Sequence, residues 1–315
     1  MTGFILRRLA SMVLVLFTVS VLIFAIFNVI PDSDPAQRMG GKNATVEQVA
    51  AIRKEWGFDR PVTTQYVKML KNTFSGDLIS YNNRENVTGR IKEGLPRTLA
   101  LTFWSSLFML IGGVALGVLS ALRPHTFADR AVNAVAVIGI SLPVFWVGSL
   151  MSYYLGSKAG LIPAGGYVSI SEGGIAGWFW HLLAPSVAIA FLFTGIYSRV
   201  LRGDLLDALH ADYVRTAEAK GLSRRRVVMR HALRNALIPM VTLWGFDVAV
   251  TLGGGAVLTE TVFDLDGVGA YLAESIGTLD VPAVMAITLF GAVAVVVINA
   301  IVDILYAYLD PRIRR

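Results

Sequence analysis

The sequence predicts an all-α, polytopic membrane protein with six spanning helices, on three observations. Of 315 residues 55% are hydrophobic and only 16% charged, and the mean hydropathy is +0.61. That balance leaves too little polar surface for a water-soluble globule. Apolar runs near the roughly 20 residues that a helix needs to cross a bilayer recur along the chain. Lys and Arg gather in alternate connections between those runs, as loops retained on the cytoplasmic side do.

The spans are expected at Leu9–Ile30, Thr98–Leu122, Ala131–Gly156, Leu182–Leu201, Leu237–Leu258 and Pro282–Leu309. The first follows Arg7 and Arg8 like a signal peptide, but its apolar run is long and ends in NVIPDSDP without a small-residue cleavage site. It is expected to stay as an anchor. Pro31–Arg97 then forms a long segment in which ATVEQVAAIRKEWGF and TTQYVKMLKNTF carry apolar residues at helical spacing on either side of DRP. A small extracytoplasmic cap with two short helices is expected there. The chain thus divides into 1–97, an anchor helix plus cap, and 98–315, a five-helix core.

Orientation follows from short flanks. Arg7 and Arg8, Arg123 and Arg130, the basic segment 199–236, and Arg312, Arg314 and Arg315 all fall on one face, which should be cytoplasmic with both termini. The connection Thr259–Val281 has no Lys or Arg but carries Glu260, Asp264, Asp266, Glu274 and Asp280, and is placed outside. The net charge of +6 therefore follows topology and does not require nucleic acid.

Several chemistries are excluded by residue type. There are no cysteines, so disulfides, Cys-ligated metal centres and a thiol nucleophile do not arise. No G-x-x-x-x-G-K-[ST] loop occurs, since GGKN at Gly40–Asn43 lacks both the upstream Gly and the hydroxyl residue. Nor is there an H-E-x-x-H pair or a G-x-S-x-G elbow. The four histidines, His125, His181, His210 and His231, are scattered, and no metal or cofactor site on the chain is expected.

The most informative stretch is DYVRTAEAKGLSRRRVVMRHALRNALIP, Asp212–Pro239. Ala208–Lys220 reads as one short helix ended by Gly221, after which Ser223 can cap a second helix running through Arg224, Arg225, Arg226, Arg230 and Arg234 into the fifth span. On spacing alone, a loop that merely fixes topology and a docking element for a soluble partner, with Ala217, Ala219 and Gly221 as its small-residue face, both fit. A helix-turn-helix for DNA would be confined by two short spans.

Polar residues inside spans form a second group. Asp247 would be costly in lipid unless it faces a polar cavity or a partner, so lining a pathway and pairing with a neighbouring helix both stay open. Asn299 and Asp303, four apart on the sixth span, suit packing between helices. Pro143 in SLPVFW should bend the third span, and Gly253–Gly255 should loosen the end of the fifth. Pro143, Gly254 and the nearby Glu260 are candidates for a pathway or gate.

The basic stretch resembles the cytoplasmic EAA loop of binding-protein-dependent ABC importer permeases, E-A-A, three residues, G, nine residues, hydrophobic-x-L-P. Here RTAEAKG supplies Arg215, Thr216, Ala217, Glu218 and Gly221, and HALR supplies His231 and Leu233. Arg215 in place of Glu and Arg234 in place of Pro are similar to the dipeptide and oligopeptide branch, with its DYVRTARAKGL and RHALRNALIP. Glu218 stands where that branch commonly has Arg, and Asp266 in DLDGVG where it commonly has Pro. GFDRPVTTQYVKML, SLPVFWVG, GLIPAGGY, LTETVFDLDGVG and NAIVDILYAYLDPRIR also resemble that branch, in order, over nearly the whole chain.

The resemblance implies a type I ABC importer (MetI-like) permease fold and a bacterial inner-membrane location. It implies a homologous second permease subunit of the same dipeptide/oligopeptide type, two cytoplasmic ABC ATPases that hold the ATP and Mg, and an extracytoplasmic solute-binding protein. It also implies a non-catalytic subunit importing di- or oligopeptides, with Tyr213, Arg215, Thr216, Ala217, Glu218, Gly221, Leu222, His231 and Leu233 as the ATPase-coupling loop, about 203–236. The rival is a self-sufficient proton-coupled transporter using Asp247 or Asp303.

Overall fold

The computed structural model describes residues 2–29, 34–40, 44–80 and 84–309. The Arg312, Arg314 and Arg315 tail and the side chains of Arg7, Arg8 and Asp303 lie outside this description. Within it the chain is helical apart from connections and one isolated antiparallel bridge, Ile79 to Asn86.

Helix α1, Thr2–Phe24, continues through a π-helical segment, Ala25–Val29. Val13, Leu14, Phe17 and Leu22 on it are exposed, as suits a helix whose outer surface meets lipid. The following segment holds α2 (Pro35–Gly40), α3 (Val46–Trp56) and α4 (Val62–Ser75). The two helices expected of the cap are α3 and α4. Thr45 forms a reciprocal capping box with Gln48, and Gly57 and Gly76, both left-handed, end the two helices. Tyr66 of α4 reaches Ser20 of α1 at 2.7 Å and meets the Phe24 ring edge-on, fastening this segment to the bundle.

Helix α5 runs unbroken from Val87 to Leu122. The second span is therefore longer than expected, and the division at 97/98 falls inside a helix. Its buried stripe, with Leu101, Ser105, Met109, Gly113 and Gly117, packs against α8, Ile170–His210, which turns at Gly174. Ser and Gly in that stripe let the two backbones come close.

The third span departs most from expectation. Instead of one bent helix there are two, α6 (Phe127–Ser141) and α7 (Val144–Leu150), the latter prolonged by a π-helical segment Met151–Lys158. The two parts meet at 101°. Pro143, extended at ψ 134°, is the cap of α7, where its missing N–H costs nothing. Among the described residues five helices are long and apolar enough to span, and the broken pair makes a sixth if it crosses as one.

After α8 come α9 (Asp212–Ala219) and α10 (Arg224–Arg226), which passes through the π-helical segment Val227–Ala232 into α11 (Leu233–Val250) and a second such segment, Thr251–Gly255. The last four form one continuous rod, Arg224–Gly255. Helices α12 (Val257–Val262) and α13 (Val268–Gly277) make a hairpin, and α14, Val281–Leu309, closes the described chain.

Candidate functional site

At one end of the bundle, the basic loop is folded by its own backbone. The expected single helix Ala208–Lys220 is divided: α8 continues to His210, Ala211 is extended (φ −72°, ψ 149°), and Asp212 opens α9. No Gly or Pro marks that break, and Asp212 suits the positive end of the new helix. Helix α9 ends in a Schellman turn. The Gly221 N–H donates to the Glu218 carbonyl at 2.9 Å and the Leu222 N–H to the Ala217 carbonyl at 3.4 Å, with Gly221 at φ 77°. A β-carbon at Gly221 would meet nothing within 4 Å, so the turn needs glycine for its backbone conformation and not for close approach. Ser223 precedes α10 without a side-chain capping bond. Its carbonyl receives the Val227 N–H at 3.0 Å.

The loop residues divide into two faces. Val214, Ala217, Val227, Ala232 and Leu233 are buried in the main core, with Leu222 packed against it. Ala217 therefore does not belong to a small-residue docking face, as the sequence suggested, because the three-residue step from Val214 turns it inward. Tyr213, Arg215, Thr216, Glu218, Gly221 and Arg224–Arg226 are exposed, and His231 is half-buried. Across the turn Arg224 lies 3.6 Å from Glu218, and Arg215 lies 3.7 Å from Asp212. Glu218 thus has a partner inside the chain.

Beside this loop, a network that the sequence reading missed ties three helices together. Asp129, at the start of α6, accepts from Arg202 Nε at 2.7 Å and Nη2 at 2.9 Å, from the His125 backbone N–H at 2.9 Å, and from Ser120. D-R-A-V-N gave one local sign, since Asn133 is a helical turn from Asp129 and donates to it at 2.9 Å. Deeper in the bundle, the Tyr197 hydroxyl donates to Asp247 at 2.6 Å. Asp247 is thereby paired with a neighbouring helix.

At the other end, the acidic connection closes around a carboxylate. Glu260 is fully buried. Its Oε2 accepts from the Ala270 N–H at 3.0 Å, in the first turn of α13, where a carboxylate satisfies otherwise unpaired donors. Thr98, which receives the Val268 N–H at 2.9 Å, stands beside it. A β-carbon at Gly267 would come within 2.4 Å of Glu260 Oε2, and one at Gly269 within 2.9 Å. Only glycine leaves room for the carboxylate on both sides. Burial raises the Glu260 carboxyl above the ordinary range, against Thr98 and the Ala270 and Gly269 N–H groups, which favour its charge. Its Oε1 has no hydrogen-bond partner among the described residues.

The hairpin is clamped from outside as well. Asp266 is left-handed at φ 51°. Its carboxylate pairs with Arg90 at 2.9 Å and with Arg97, and Arg97 also reaches the Asp266 carbonyl at 2.6 Å. Gly166, from the GLIPAGGY stretch, donates to the Phe263 carbonyl at 2.8 Å. Gly254 is non-helical at φ 134° where the Arg224–Gly255 rod ends. Pro143, Gly254, Asp247 and Glu260 are therefore not one site: Gly254 and Glu260 border the same small gap, while Asp247 bonds to α8 and Pro143 caps α7.

A polytopic helical bundle with an exposed, shaped basic turn at one end and a clamped acidic hairpin at the other defines a membrane protein whose two ends are both structured. Residues 113–315 match the family described as binding-protein-dependent transport system inner membrane component, and residues 1–102 match the N-terminal region of such membrane components. The chain belongs to this family of inner-membrane transport subunits. It is 34% identical over 334 aligned positions to the dipeptide transport system permease protein DppB of Alkalihalophilus pseudofirmus, covering 100% of both chains. It is likewise 34% identical over 315 positions to the glutathione transport system permease protein GsiC of Escherichia coli, covering 100% of this chain and 99% of that one.

Among solved structures, an inward-facing form of the MetNI methionine ABC transporter is similar, with TM-score 0.55 and 20% identity over 70% of this chain and 96% of the other. An amino acid ABC transporter is similar at TM-score 0.55 and 14% identity, over 70% and 94%. At such identity these two establish the fold, and the fold expected from the sequence is the one found.

Proposed function

We propose that the chain is the permease subunit of an ATP-driven importer of short peptides, forming half of a translocation pathway with a homologous second subunit. The relatives named for dipeptide and glutathione transport, similar over essentially their whole length, support the peptide class. The self-sufficient proton-coupled alternative has no support from the family match. The basic loop docks a cytoplasmic ATPase through its outward face, Tyr213, Arg215, Thr216 and Glu218, while Ala217, Leu222 and Leu233 fix it to the core. ATP and Mg belong to the ATPases, and this subunit is not catalytic. The cap and the α12–α13 hairpin lie outside the cell membrane and receive the solute-binding protein, and both termini lie inside.

The observation that carries the coupling role is mechanical. Gly221 joins α9 to a helical rod that runs from Arg224 as far as the non-helical Gly254, so a push on α9 is delivered across the bilayer. The test is Gly221→Val against Gly221→Asn in the reconstituted complex. Asn tolerates the left-handed conformation and Val resists it. Val should abolish most peptide uptake while the subunit still inserts, and Asn should keep most of it; full uptake by Gly221→Val would refute the coupling role. Orientation is checked separately. An impermeant thiol reagent should fail to label Arg225→Cys in intact spheroplasts and should label Asp264→Cys.

A further inference from the structure

Between α3, α4, the Ile79–Asn86 bridge and the first turn of α14 lies a cavity of roughly 230 Å³ that the transport reading does not use. Its apolar wall includes Trp56, Met69 and Met285, and Lys68 and Asp77 also line it. Lys68 is held in place, because its ammonium donates to the Trp56 carbonyl at 3.0 Å and the Glu55 carbonyl at 3.4 Å. Those are the closing carbonyls of α3, which favour a cation. Among the described residues no carboxylate lies within ion-pair distance of Lys68. Asp77 follows the left-handed Gly76, its N–H bound to the Asn72 carbonyl at 3.2 Å. Its carboxylate likewise has no cation partner among the described residues. Glu55 and Arg84, also on the lining, neutralise each other at 3.0 Å.

The lining thus carries a held cation, Lys68, and an anion, Asp77, together with apolar side chains. A singly charged ligand would satisfy one group and leave the other beside a like or uncompensated charge. A small zwitterion with an apolar appendage satisfies both. The volume lies below the roughly 300–1,000 Å³ of drug-sized sites, which suits a ligand of about dipeptide size.

We propose that this cavity is a binding site for a small zwitterion, whose anionic group meets Lys68 and whose ammonium meets Asp77. Two sources share that chemistry: a free dipeptide, and the ethanolamine headgroup of a phospholipid. The second is within reach because Asn28, in the π-helical continuation of α1, and Met285, at the start of α14, also line the cavity. The site does not depend on which side of the membrane the cap occupies.

The experiment uses the full-length subunit, purified without a solute-binding protein so that only this chain can hold the ligand. Calorimetry in detergent compares Ala-Phe with its N-acetylated, C-amidated form. Native mass spectrometry compares nanodiscs of phosphatidylethanolamine and phosphatidylglycerol. Lys68→Met and Asp77→Asn are the variants, and exposed Lys71→Met on the same helix is the control, all verified by thermal melting to be folded. Binding of Ala-Phe at least tenfold weaker in both variants, and absent for the blocked peptide, supports the site with peptide as its ligand. Selective retention of phosphatidylethanolamine, lost in both variants, supports it with lipid as the source. Blocked peptide binding as well as free peptide, or binding of every probe unchanged by Lys68→Met and Asp77→Asn, overturns the proposal. Neither result bears on ATPase coupling, which Gly221→Val tests independently.

Discussion

The turn at Gly221 and the turn from Asp264 to Gly267 each lead one short helix into another. Arg97, which clamps the second, and Ser120, which bonds Asp129 near the other end of α5, are about 35 Å apart along the helix by its rise per residue, a little more than a bilayer core. Their construction differs. The Gly221 turn is closed by two backbone hydrogen bonds and presents exposed side chains, bridged by one pair at 3.6 Å. The Asp264–Gly267 turn has the same kind of backbone closure, Asp264 N–H to the Thr261 carbonyl at 3.3 Å and Leu265 N–H to the Glu260 carbonyl at 3.0 Å. It is gripped in addition by side chains from distant parts of the chain, Thr98, Arg90 and Arg97, around a fully buried Glu260. A turn held by its backbone alone frees its surface for a partner, whereas one also gripped by distant side chains is stiff and tolerates few substitutions. The comparison predicts a graded set of effects.

The largest belongs to Glu260→Ala. It strands the Ala270 N–H in a buried place and leaves a void among Thr98, Gly267 and Gly269, for a cost of about 3 kcal/mol. Hydrogen exchange over 260–270 should show the hairpin opening while α9 is unaffected. The charge state adds a pH dependence with a definite sign. Because burial raises the Glu260 carboxyl, the folded hairpin binds the proton more tightly than the unfolded chain does. Its stability is therefore fullest below the ordinary Glu value and is lost as pH rises through the raised one. Glu260→Gln should flatten that profile, so that protection measured at pH 8 exceeds that of the wild type. A wild-type hairpin equally protected at pH 5 and pH 8 would mean that Glu260 does not change its charge between them.

Next comes Asp266→Pro. Proline cannot adopt φ 51°, and the change also removes the carboxylate from Arg90 and Arg97. A loss of about 2 kcal/mol is expected in thermal or denaturant unfolding. Asp266→Asn, which tolerates the left-handed region, should lose about half as much. The branch that the chain resembles commonly carries Pro here, so this hairpin must be built differently, with an arginine clamp where a rigid ring would stand. Equal stability for Pro and Asn would show that the clamp is ornamental.

What the sequence disclosed follows from the range of the forces involved. Spans were legible because apolar length is a local property, and the end of α9 was legible because Gly221 is a local signal. The 101° break of the third span was only half visible, since Pro143 announces a change of direction but not its size. The division at Ala211 left no mark. Glu260 was noticed as a carboxylate near the end of a span, yet its environment was hidden, because Thr98 lies far away in the sequence. Paired glycines in DGVGA were the available sign that something large approaches the backbone there. Asp129 with Arg202, and Tyr197 with Asp247, were invisible for the same reason: hydrogen-bond partners 73 and 50 residues apart have no spacing rule.

The smallest effect should come from Glu218, and it sharpens the contrast most. Its partner Arg224 is 75% exposed and Glu218 itself 46%, so water screens the pair and its contribution is about 0–1 kcal/mol. The turn beneath it is fixed by the Gly221 and Leu222 N–H groups, which a change at position 218 does not touch. Glu218→Ala should therefore leave thermal stability within about 0.5 kcal/mol of wild type, against about 3 for Glu260→Ala. Glu218→Arg, the residue common in the branch that the loop resembles, places a third kind of test on the same spot. It adds positive charge beside Arg224, which the helix C-terminus of α9 accommodates, and it should likewise leave folding unchanged. Any effect should appear only when the ATPase is present, as a change in the salt dependence of its binding, since exposed charge acts through steering and screening more than through the fold. If Glu218→Ala instead destabilised the isolated subunit as much as Glu260→Ala does, the inner turn would depend on its side chains after all. Its exposed face could not then be read as surface left free for a partner.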